Sequence, residues 1–241
     1  MEAEKPKSKS CNTAIGGTID TGKTHTAKQY AELLAHRLIN GDFIQVRPII
    51  VLDHSDNATS YEGYTVIPME YLQKDLDILN NPQFKRVRIC VDDDDDIDEF
   101  CKYLIHFQRD VVVIFDDIGN YFTGNLSDIQ KKVIKTPKNN GIDLIYQFHS
   151  WKEIAPKLLA VCSVAIVKET PDKNIKNIDR LQMSDYMQIL NKEVIEENKH
   201  RESGKKYATR ILDNKYGKVT VMDLNNNFKT YNVYDYFAGK L

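Results

Sequence analysis

Short apolar runs alternate with amphipathic segments over the first two thirds of the chain. The apolar runs lie at residues 13–16, 48–53, 87–91, 111–117, 141–149 and 163–168, and each has the length of a buried strand. Helical spacing of apolar residues predicts helices between several of these runs, at 25–38, 97–107 and 151–161. Strands that alternate with helices predict an α/β fold, in which a mostly parallel central sheet is flanked by helices.

The helix predicted after the first strand has a well-defined apolar stripe. Ala27, Ala31 and Leu38 fall on this stripe at helical spacing. Asn40-Gly41 supplies residues that tolerate the left-handed conformation found at helix ends. We therefore expect the helix to continue through Leu38 and to end at Asn40-Gly41.

The last third of the chain has a different pattern. Residues 177–200 predict a helix, and the short runs 208–212, 217–222 and 228–234 predict strands of a small antiparallel β meander. We expect three parts. These are a disordered basic tail at residues 1–11, a core domain at 12–170, and a helix and meander extension at 171–241 packed on the core.

Composition and charge exclude several classes of protein. The formal net charge is −2, so a nucleic-acid-binding surface would have to gather its basic residues locally. None of Cys11, Cys90, Cys101 and Cys162 belongs to a C-x-x-C pair, which disfavours a zinc site. The last three lie among apolar neighbours, as free core thiols do, which indicates a reducing compartment. The longest nearly apolar run, residues 158–167, is about half the length of a membrane span. We therefore expect a cytoplasmic protein with no membrane span.

The strongest chemical signal is a full match to G-x-x-x-x-G-K-[ST] between the first strand and its helix. The match comprises Gly17, Thr18, Ile19, Asp20, Thr21, Gly22, Lys23 and Thr24, and His25 follows it. The glycines let backbone N–H groups curl around phosphate oxygens, and the helix directs its N-terminus at the same anion. Lys23 is predicted to reach the β- and γ-phosphates, and the Thr24 hydroxyl to bind Mg²⁺. This P-loop predicts a site for ATP or GTP with Mg²⁺.

Two adjacent carboxylates end the most apolar strand. Asp116 has the position of the Walker B carboxylate, which reaches the Mg²⁺ shell. Asp117 follows where many ATPases carry the acid that polarises the attacking water. A solvated strand end is the alternative interpretation. The pair favours hydrolysis over nucleotide binding alone.

The strand at residues 141–149 ends in polar side chains. Gln147 and His149 are two residues apart and therefore lie on the same face of the sheet. A polar group there is able to contact the γ-phosphate or the attacking water, which makes both residues candidate sensors. Ordinary hydrogen bonding at a strand end is the alternative.

The order of these motifs resembles the FtsK/HerA superfamily of DNA-pumping ATPases. The order is P-loop, apolar strand with Asp116-Asp117, a basic residue before Gly141, a polar sensor, then residues 150–159 and the strand 164–168. More narrowly, it resembles the compact genome-packaging ATPases of membrane-containing viruses, over residues 12–170. The resemblance implies ATP as the nucleotide, and a homo-oligomeric ring, usually a hexamer, that moves double-stranded DNA. It also implies docking to a capsid vertex or membrane portal protein, in the host cytoplasm or with the virion.

The sequence departs from the family pattern at three positions. Asp117 stands where the family most often has glutamate, and His149 where it commonly has glutamine. The arginine finger, which acts on the neighbouring subunit, corresponds to Lys138, and lysine lacks the planar fork of arginine. Arg109 and Arg180 are alternative fingers.

Further lysines form a basic cluster with Lys138. Lys131, Lys132 and Lys135 precede the sensor strand, and the cluster is explained equally by a phosphate-facing surface and by a solvated helix face. The five carboxylates at residues 92–96 similarly suggest either a metal site or a solvated loop. We favour the loop, because negative charge is stabilised before the N-terminus of the helix predicted at 97–107.

Two other functions also fit a P-loop in a chain of this length. A small-molecule or nucleotide kinase usually carries an arginine-rich lid, and residues 120–137 contain no arginine. A nucleotide-switch assembly protein of the Zot type usually has a membrane segment. The DNA-translocating ATPase is therefore the function that we predict, with these two as alternatives.

Overall fold

A central sheet of ten strands organises the part of the chain that the computed structural model describes. The described residues are 10–54, 59–74, 81, 83–91, 94–106, 110–122, 125–135, 141–202, 205, 207–222, 225 and 227–240. The strands are β1 (Asn12–Gly16), β2 (His36–Ile39), β3 (Asp42–Gln45), β4 (Ile49–Asp53), β5 (Thr65–Pro68), β6 (Arg86–Cys90), β7 (Val112–Phe115), β8 (Asp143–Phe148), β9 (Val164–Val167), β10 (Arg210–Asp213), β11 (Lys218–Met222) and β12 (Phe228–Asn232). The helices are α1 (Lys23–Ala35), α2 (Met69–Lys74), α3 (Asp94–His106), α4 (Asp128–Val133), α5 (Pro156–Leu159), α6 (Ser184–Lys199) and α7 (Val233–Phe237).

The order of strands in the sheet is β12-β11-β10-β9-β1-β8-β7-β4-β6-β5. All neighbours from β9 to β5 pair in parallel, whereas β10, β11 and β12 continue the sheet in antiparallel pairing. Strand β1 lies between β8 and β9, so the carboxyl ends of β1, β7 and β8 meet at one edge. The predicted fold class, a mostly parallel sheet with a C-terminal helix and antiparallel meander, is confirmed.

The two faces of the sheet carry separate hydrophobic cores. Ile15 and Val51 pack on one face against the fully buried alanines of α1. Ala14 points to the other face, where Phe100 of α3 and Leu190 of α6 complete the larger core. Each large apolar side chain buried in this way contributes about 1.5–3 kcal/mol relative to exposure. Helices on both faces thus fix the position of the central strands.

The predicted end of the first helix is wrong. Helix α1 ends at Ala35, and β2 and β3 form a separate two-stranded hairpin. Asn40 (φ 53°) and Gly41 (φ 93°) make its turn. Two consecutive residues with positive φ match the tight turn that joins antiparallel strands, and Asn-Gly is its strongest sequence signal. The dipeptide therefore marks a hairpin instead of a helix end.

Two other predicted helices are shorter in the structure. Within 151–161 only α5 is helical. Residues 151–154 form a turn and a bend, and the helix begins at Pro156, a residue that suits the first helical turn. The predicted helix 177–200 begins only at Ser184, since Arg180 (φ 60°) and Met183 (φ 51°) adopt left-handed backbone conformations. Such residues interrupt a right-handed helix.

The acidic stretch is part of a helix in the region described. Asp94, Asp95 and Asp96 form the first turn of α3, so the loop predicted before residue 97 is wrong for these three positions. Residues 92–93 lie outside the described residues, as do residues 1–9 of the predicted tail. The predicted domain boundaries stay predictions. No helix among the described residues is both long and apolar enough to cross a membrane.

Candidate nucleotide site

The P-loop is held between the ends of β8 and β9, the two strands that flank β1. The Gly17 N–H donates to the carbonyl of Phe148, the last residue of β8, at 3.1 Å, and the Thr18 N–H donates to the Glu169 carbonyl beyond β9 at 2.7 Å. The Thr21 hydroxyl closes the loop by donating to the Thr18 carbonyl at 2.8 Å. The loop conformation is therefore determined by the sheet on both sides.

Glycine is required at two positions of this loop. A Cβ on Gly17 would lie 2.6 Å from the Thr21 hydroxyl oxygen and 2.9 Å from the Lys168 Cβ. Gly22 has φ 74° and precedes α1 without any side-chain cap. The N–H groups in the first turn of α1 are thus free of a capping side chain, which is the arrangement that binds phosphate.

The remaining predicted P-loop residues differ in exposure. Ile19 (73% exposed) and Asp20 (φ 61°) form the exposed tip of the loop. Thr24 is half-buried in the first turn of α1, and His25 is exposed beside it. The structure therefore brings the hydroxyl of Thr24 to the same helix end as Lys23.

Lys23, His149 and Asp117 form a hydrogen-bonded chain across the site. Lys23 Nζ lies 3.0 Å from His149 Nδ1, and His149 Nε2 lies 3.2 Å from Asp117 Oδ2. An ammonium group only donates, so Nδ1 accepts and the proton of a neutral imidazole is on Nε2, where it donates to the carboxylate. The predicted sensor thus connects the P-loop lysine to the predicted base.

Lys23 is buried although it begins α1 directly after the P-loop turn. The residue is only 9% exposed. Burial lowers the pKa of the ammonium group, while the carboxylates of Asp117, Asp116 and Glu153 act in the opposite direction. A buried cation surrounded by carboxylates and next to uncapped N–H groups suits a polyanionic ligand with a counter-cation.

Asp116 lies where β7 meets β4. Its N–H donates to the Leu52 carbonyl at 2.9 Å. Burial and the neighbouring Asp53 raise the pKa of the Asp116 carboxyl to about 6, although a hydrogen bond with Tyr61 and the charge of Lys23 lower it. A divalent cation would relieve this unfavourable burial of negative charge.

The residues present fit Mg²⁺ bound together with phosphate. Asp116 supplies a carboxylate and Thr24 a hydroxyl, which are the ligand types that this hard cation prefers. Within the described part of the chain, no group of three or more His, Cys, Asp or Glu residues is arranged to hold a metal ion on its own. Oxygen atoms of the phosphates and water would therefore complete the coordination.

Solved structures show which fold surrounds this site. The genome-packaging NTPase B204 of Sulfolobus turreted icosahedral virus 2, in complex with AMPPCP, matches with TM-score 0.60 and 13% identity over 92% of this chain and 97% of that chain. Its complex with ATP-gammaS gives 0.60 and 14% over 92% and 96%. The DNA-packaging ATPase B204 of Sulfolobus turreted icosahedral virus gives 0.57 and 16% over 92% and 96%. The chain has the fold of a viral genome-packaging NTPase.

The resemblance inferred from the motif order is thus confirmed for the fold. The chain matches no protein-family model and no curated protein sequence. At 13–16% identity the likeness to the packaging NTPases establishes the fold and leaves the activity to be argued from the site.

Gln147, the second candidate sensor, lies in the core next to the candidate site. It is fully buried, and its Nε2 donates to the Tyr61 hydroxyl at 3.0 Å. Tyr61 in turn interacts with Asp116. Gln147 therefore reaches the site through Tyr61, whereas His149 contacts Lys23 and Asp117 directly.

Sequence reasoning missed a buried ion pair next to Asp116. Asp53 ends β4 and is 5% exposed, and Arg88 Nε donates to its Oδ2 at 3.0 Å. The available signal was an apolar strand ending in aspartate, as at Asp116. Tyr61, which lies between Asp116 and Gln147, had no such signal because it ends a single 3₁₀ turn, Thr59–Tyr61, that follows no apolar run.

The candidate fingers remain predictions. Lys138 and Arg109 lie outside the described residues. Arg180 is described, and its Nε lies 3.7 Å from Asp179 on an exposed turn.

A cavity of about 550 Å³ adjoins the P-loop on the side of the C-terminal meander. It is lined by Gly22 and by His25, Thr26 and Gln29 of α1, and from the C-terminal part of the chain by Tyr207, Thr209 and Phe228. Lys168, only 2% exposed, also lines it and donates from Nζ to the Thr209 hydroxyl at 2.9 Å. Burial, Arg201 and Lys23 lower the pKa of Lys168 to about 7. Sequence reasoning gave these residues no role.

Proposed function

We propose that this protein is an ATP-hydrolysing motor that translocates double-stranded DNA through an oligomeric ring. The observation that carries the proposal is the chain from Lys23 through His149 to Asp117 beside a P-loop. It links the residue that contacts the γ-phosphate in P-loop enzymes to a carboxylate suited to orienting water.

The residues divide the work of hydrolysis as follows. The uncapped N–H groups of α1 and the loop hold the phosphates, and Lys23 exchanges its bond with His149 for the β- and γ-phosphate oxygens. Asp117 accepts a hydrogen bond from the attacking water and orients it in line with the leaving group. Thr24 and Asp116 would hold Mg²⁺, which neutralises charge that develops on the phosphate oxygens.

The cavity beside Gly22 is the place that we assign to the base of ATP. It is continuous with the P-loop, and its volume of about 550 Å³ is within the usual range for small-molecule sites. Tyr207 supplies an aromatic face, and Lys168 and Thr209 supply polar groups for the edge of the base. The C-terminal segment would thereby complete the site formed by the core.

The coupling to DNA is proposed from the fold. A protein with this fold is named a DNA-packaging ATPase. The proposed assembly is a homo-oligomeric ring, taken to be a hexamer. In such a ring a finger such as Lys138 or Arg109 would reach the nucleotide site of the neighbouring subunit. A capsid vertex or membrane portal protein would anchor the ring.

Replacement of the P-loop lysine tests the active site. Lys23→Ala is expected to abolish phosphate release from ATP, because transition-state charge loses its cation. The fold should survive, since burial of this ammonium group is itself unfavourable, as its lowered pKa indicates. Lys176→Ala, at an exposed lysine, is the matched control. A folded Lys23→Ala protein with the wild-type hydrolysis rate would overturn the assignment.

A further inference from the structure

A second cavity, of about 480 Å³, lies at the edge of the sheet opposite the P-loop. Asn12 begins β1, whereas the P-loop follows the end of that strand. Ser163 precedes β9, and Asn214 follows β10, which runs antiparallel to β9. These three residues line the cavity together with Ser10. The nucleotide site and this cavity therefore occupy opposite ends of the same strands.

The cavity wall contains buried oxygen atoms without a hydrogen-bond partner among the described residues. Asn12 is 8% exposed, and its Nδ2 donates to the Ile134 carbonyl at 3.0 Å, which directs Oδ1 away from that carbonyl. Asn12 Oδ1, Asn214 Oδ1 and Ser10 Oγ have no partner there. Leaving such a group unsatisfied costs about 1–3 kcal/mol. A ligand with N–H donors would satisfy the two amide oxygens.

The rest of the lining indicates what else this ligand carries. Ile134, Ala160 and Val161 provide apolar surface, which suits the faces of a heterocycle better than a polyhydroxylated sugar. The exposed lysines Lys135 and Lys215 also line the cavity. Two ammonium groups in one lining attract an anion such as phosphate.

We propose that this cavity binds a nucleotide unit. Its base donates N–H groups to Asn12 and Asn214 and packs on Ile134 and Val161, and its phosphate pairs with Lys135 and Lys215. A free nucleotide and a nucleotide within single-stranded DNA present the same chemistry. Lys135 belongs to the basic cluster of the sequence, and this assignment gives it a phosphate to face. The proposal is independent of hydrolysis at the P-loop.

Calorimetry on the full chain tests this second site. The P-loop is first saturated with Mg²⁺ and tripolyphosphate, which has no base, and the protein is then titrated with the four deoxynucleoside monophosphates and a 12-nucleotide single strand. We expect saturable binding of at least one probe. Binding of a monophosphate assigns the site to free nucleotides, and binding of the strand alone assigns it to DNA. Binding of none, or equal heats with inorganic phosphate, would overturn the proposal.

Variants show whether the binding occurs in this cavity. Asn214→Ala removes one acceptor, and Lys215→Ala removes one cation; each is expected to weaken binding about tenfold, the effect of one charge-assisted or buried hydrogen bond. Asn12 is left unchanged, because its Nδ2 supports Ile134. Lys176→Ala removes the same charge from a residue outside the lining and is expected to bind as wild type. Wild-type affinity in both cavity variants would refute the assignment.

Discussion

The proposed hydrolysis of ATP depends most on Asp117. It is the second residue after β7, has φ 49°, and turns its carboxylate towards His149. Asp117→Asn keeps the shape of the side chain but is a far weaker proton acceptor. We expect ATP affinity near wild type and a hydrolysis rate lower by about 10²–10⁴-fold, the usual contribution of a general base. Nucleotide titration and phosphate release measure the two quantities separately.

The control for this prediction is the longer acid. Asp117→Glu restores a carboxylate and is expected to retain substantial turnover. If Asp117→Asn hydrolyses ATP at the wild-type rate, Asp117 is not the base. Its contact with His149 would then have only a structural role.

Asp116 gives a prediction about pH. Its pKa is raised from 3.8 to about 6 in the folded chain, so the folded state binds more protons between these values and stability falls as pH rises through them. Asp116→Asn removes the buried charge. At pH 7, without nucleotide or Mg²⁺, we expect the variant to be more stable by about 1–3 kcal/mol.

Denaturant unfolding of both proteins at several pH values checks this. The advantage of Asp116→Asn is expected to shrink as pH falls from 6 to 4, because wild-type Asp116 becomes protonated. A difference that does not change over this range would show that Asp116 is not the titrating group.

The sequence predicted those parts of the site whose residues lie close together along the chain. The P-loop and the Asp116-Asp117 pair are local patterns. Each directly follows a strand that the apolar runs predicted. The contact between Lys23 and His149 joins residues 126 positions apart, and that between Tyr61 and Gln147 joins residues 86 apart. Such contacts depend on strand order, which no local pattern reveals.

At the scale of elements, the hairpin after α1 shows a conflict between two local signals. The apolar stripe of the helix extends to Leu38, but Asn40-Gly41 favours a tight turn between strands. The structure follows the turn, and Leu38 is 64% exposed on β2. Helical spacing alone therefore overestimated the helix by one turn.

The segment leading into β10 carries the prediction about the base. Tyr207 is 43% exposed and lines the cavity beside Gly22. Tyr207→Ala is expected to raise the KM for ATP about five- to tenfold, because one aromatic contact with the base is lost. Inhibition by tripolyphosphate, which lacks a base, is expected to stay unchanged. Steady-state kinetics with ATP and with this competitor provide both values.

Tyr216→Ala is the matched control, since this tyrosine is also exposed but does not line the cavity. A KM for ATP that is unaffected by Tyr207→Ala would place the base elsewhere, while the P-loop assignment would stand.

At the scale of the whole molecule, the meander continues the sheet of the core. Strand β10 pairs with β9, and Lys168 at the end of β9 reaches Thr209 across this junction. The sequence predicted the meander and its helix. It did not predict that Thr209, Ile211, Met222 and Phe228 would line the cavity beside Gly22, because that depends on β9 and β10 being neighbours.

Lys168 provides a test of this junction. Its pKa of about 7, against 10.5 when unfolded, means that the unfolded chain binds more protons between these values, so stability rises with pH through this window. Lys168→Met removes this dependence. Between pH 7 and pH 9 the unfolding free energy of wild type is expected to rise by about 2 kcal/mol relative to that of the variant. If the unfolding free energies of wild type and Lys168→Met change with pH in the same way, the lowered pKa of Lys168 is contradicted.

ATP hydrolysis with and without double-stranded DNA, at low and at moderate salt, tests the proposed motor most directly. The Lys23→Ala variant defines the background rate. We expect DNA to stimulate hydrolysis, and the stimulation to weaken as salt rises, because contacts with phosphates release counterions. Hydrolysis that is the same with and without DNA at both salt concentrations would contradict the motor and favour a kinase or a nucleotide switch.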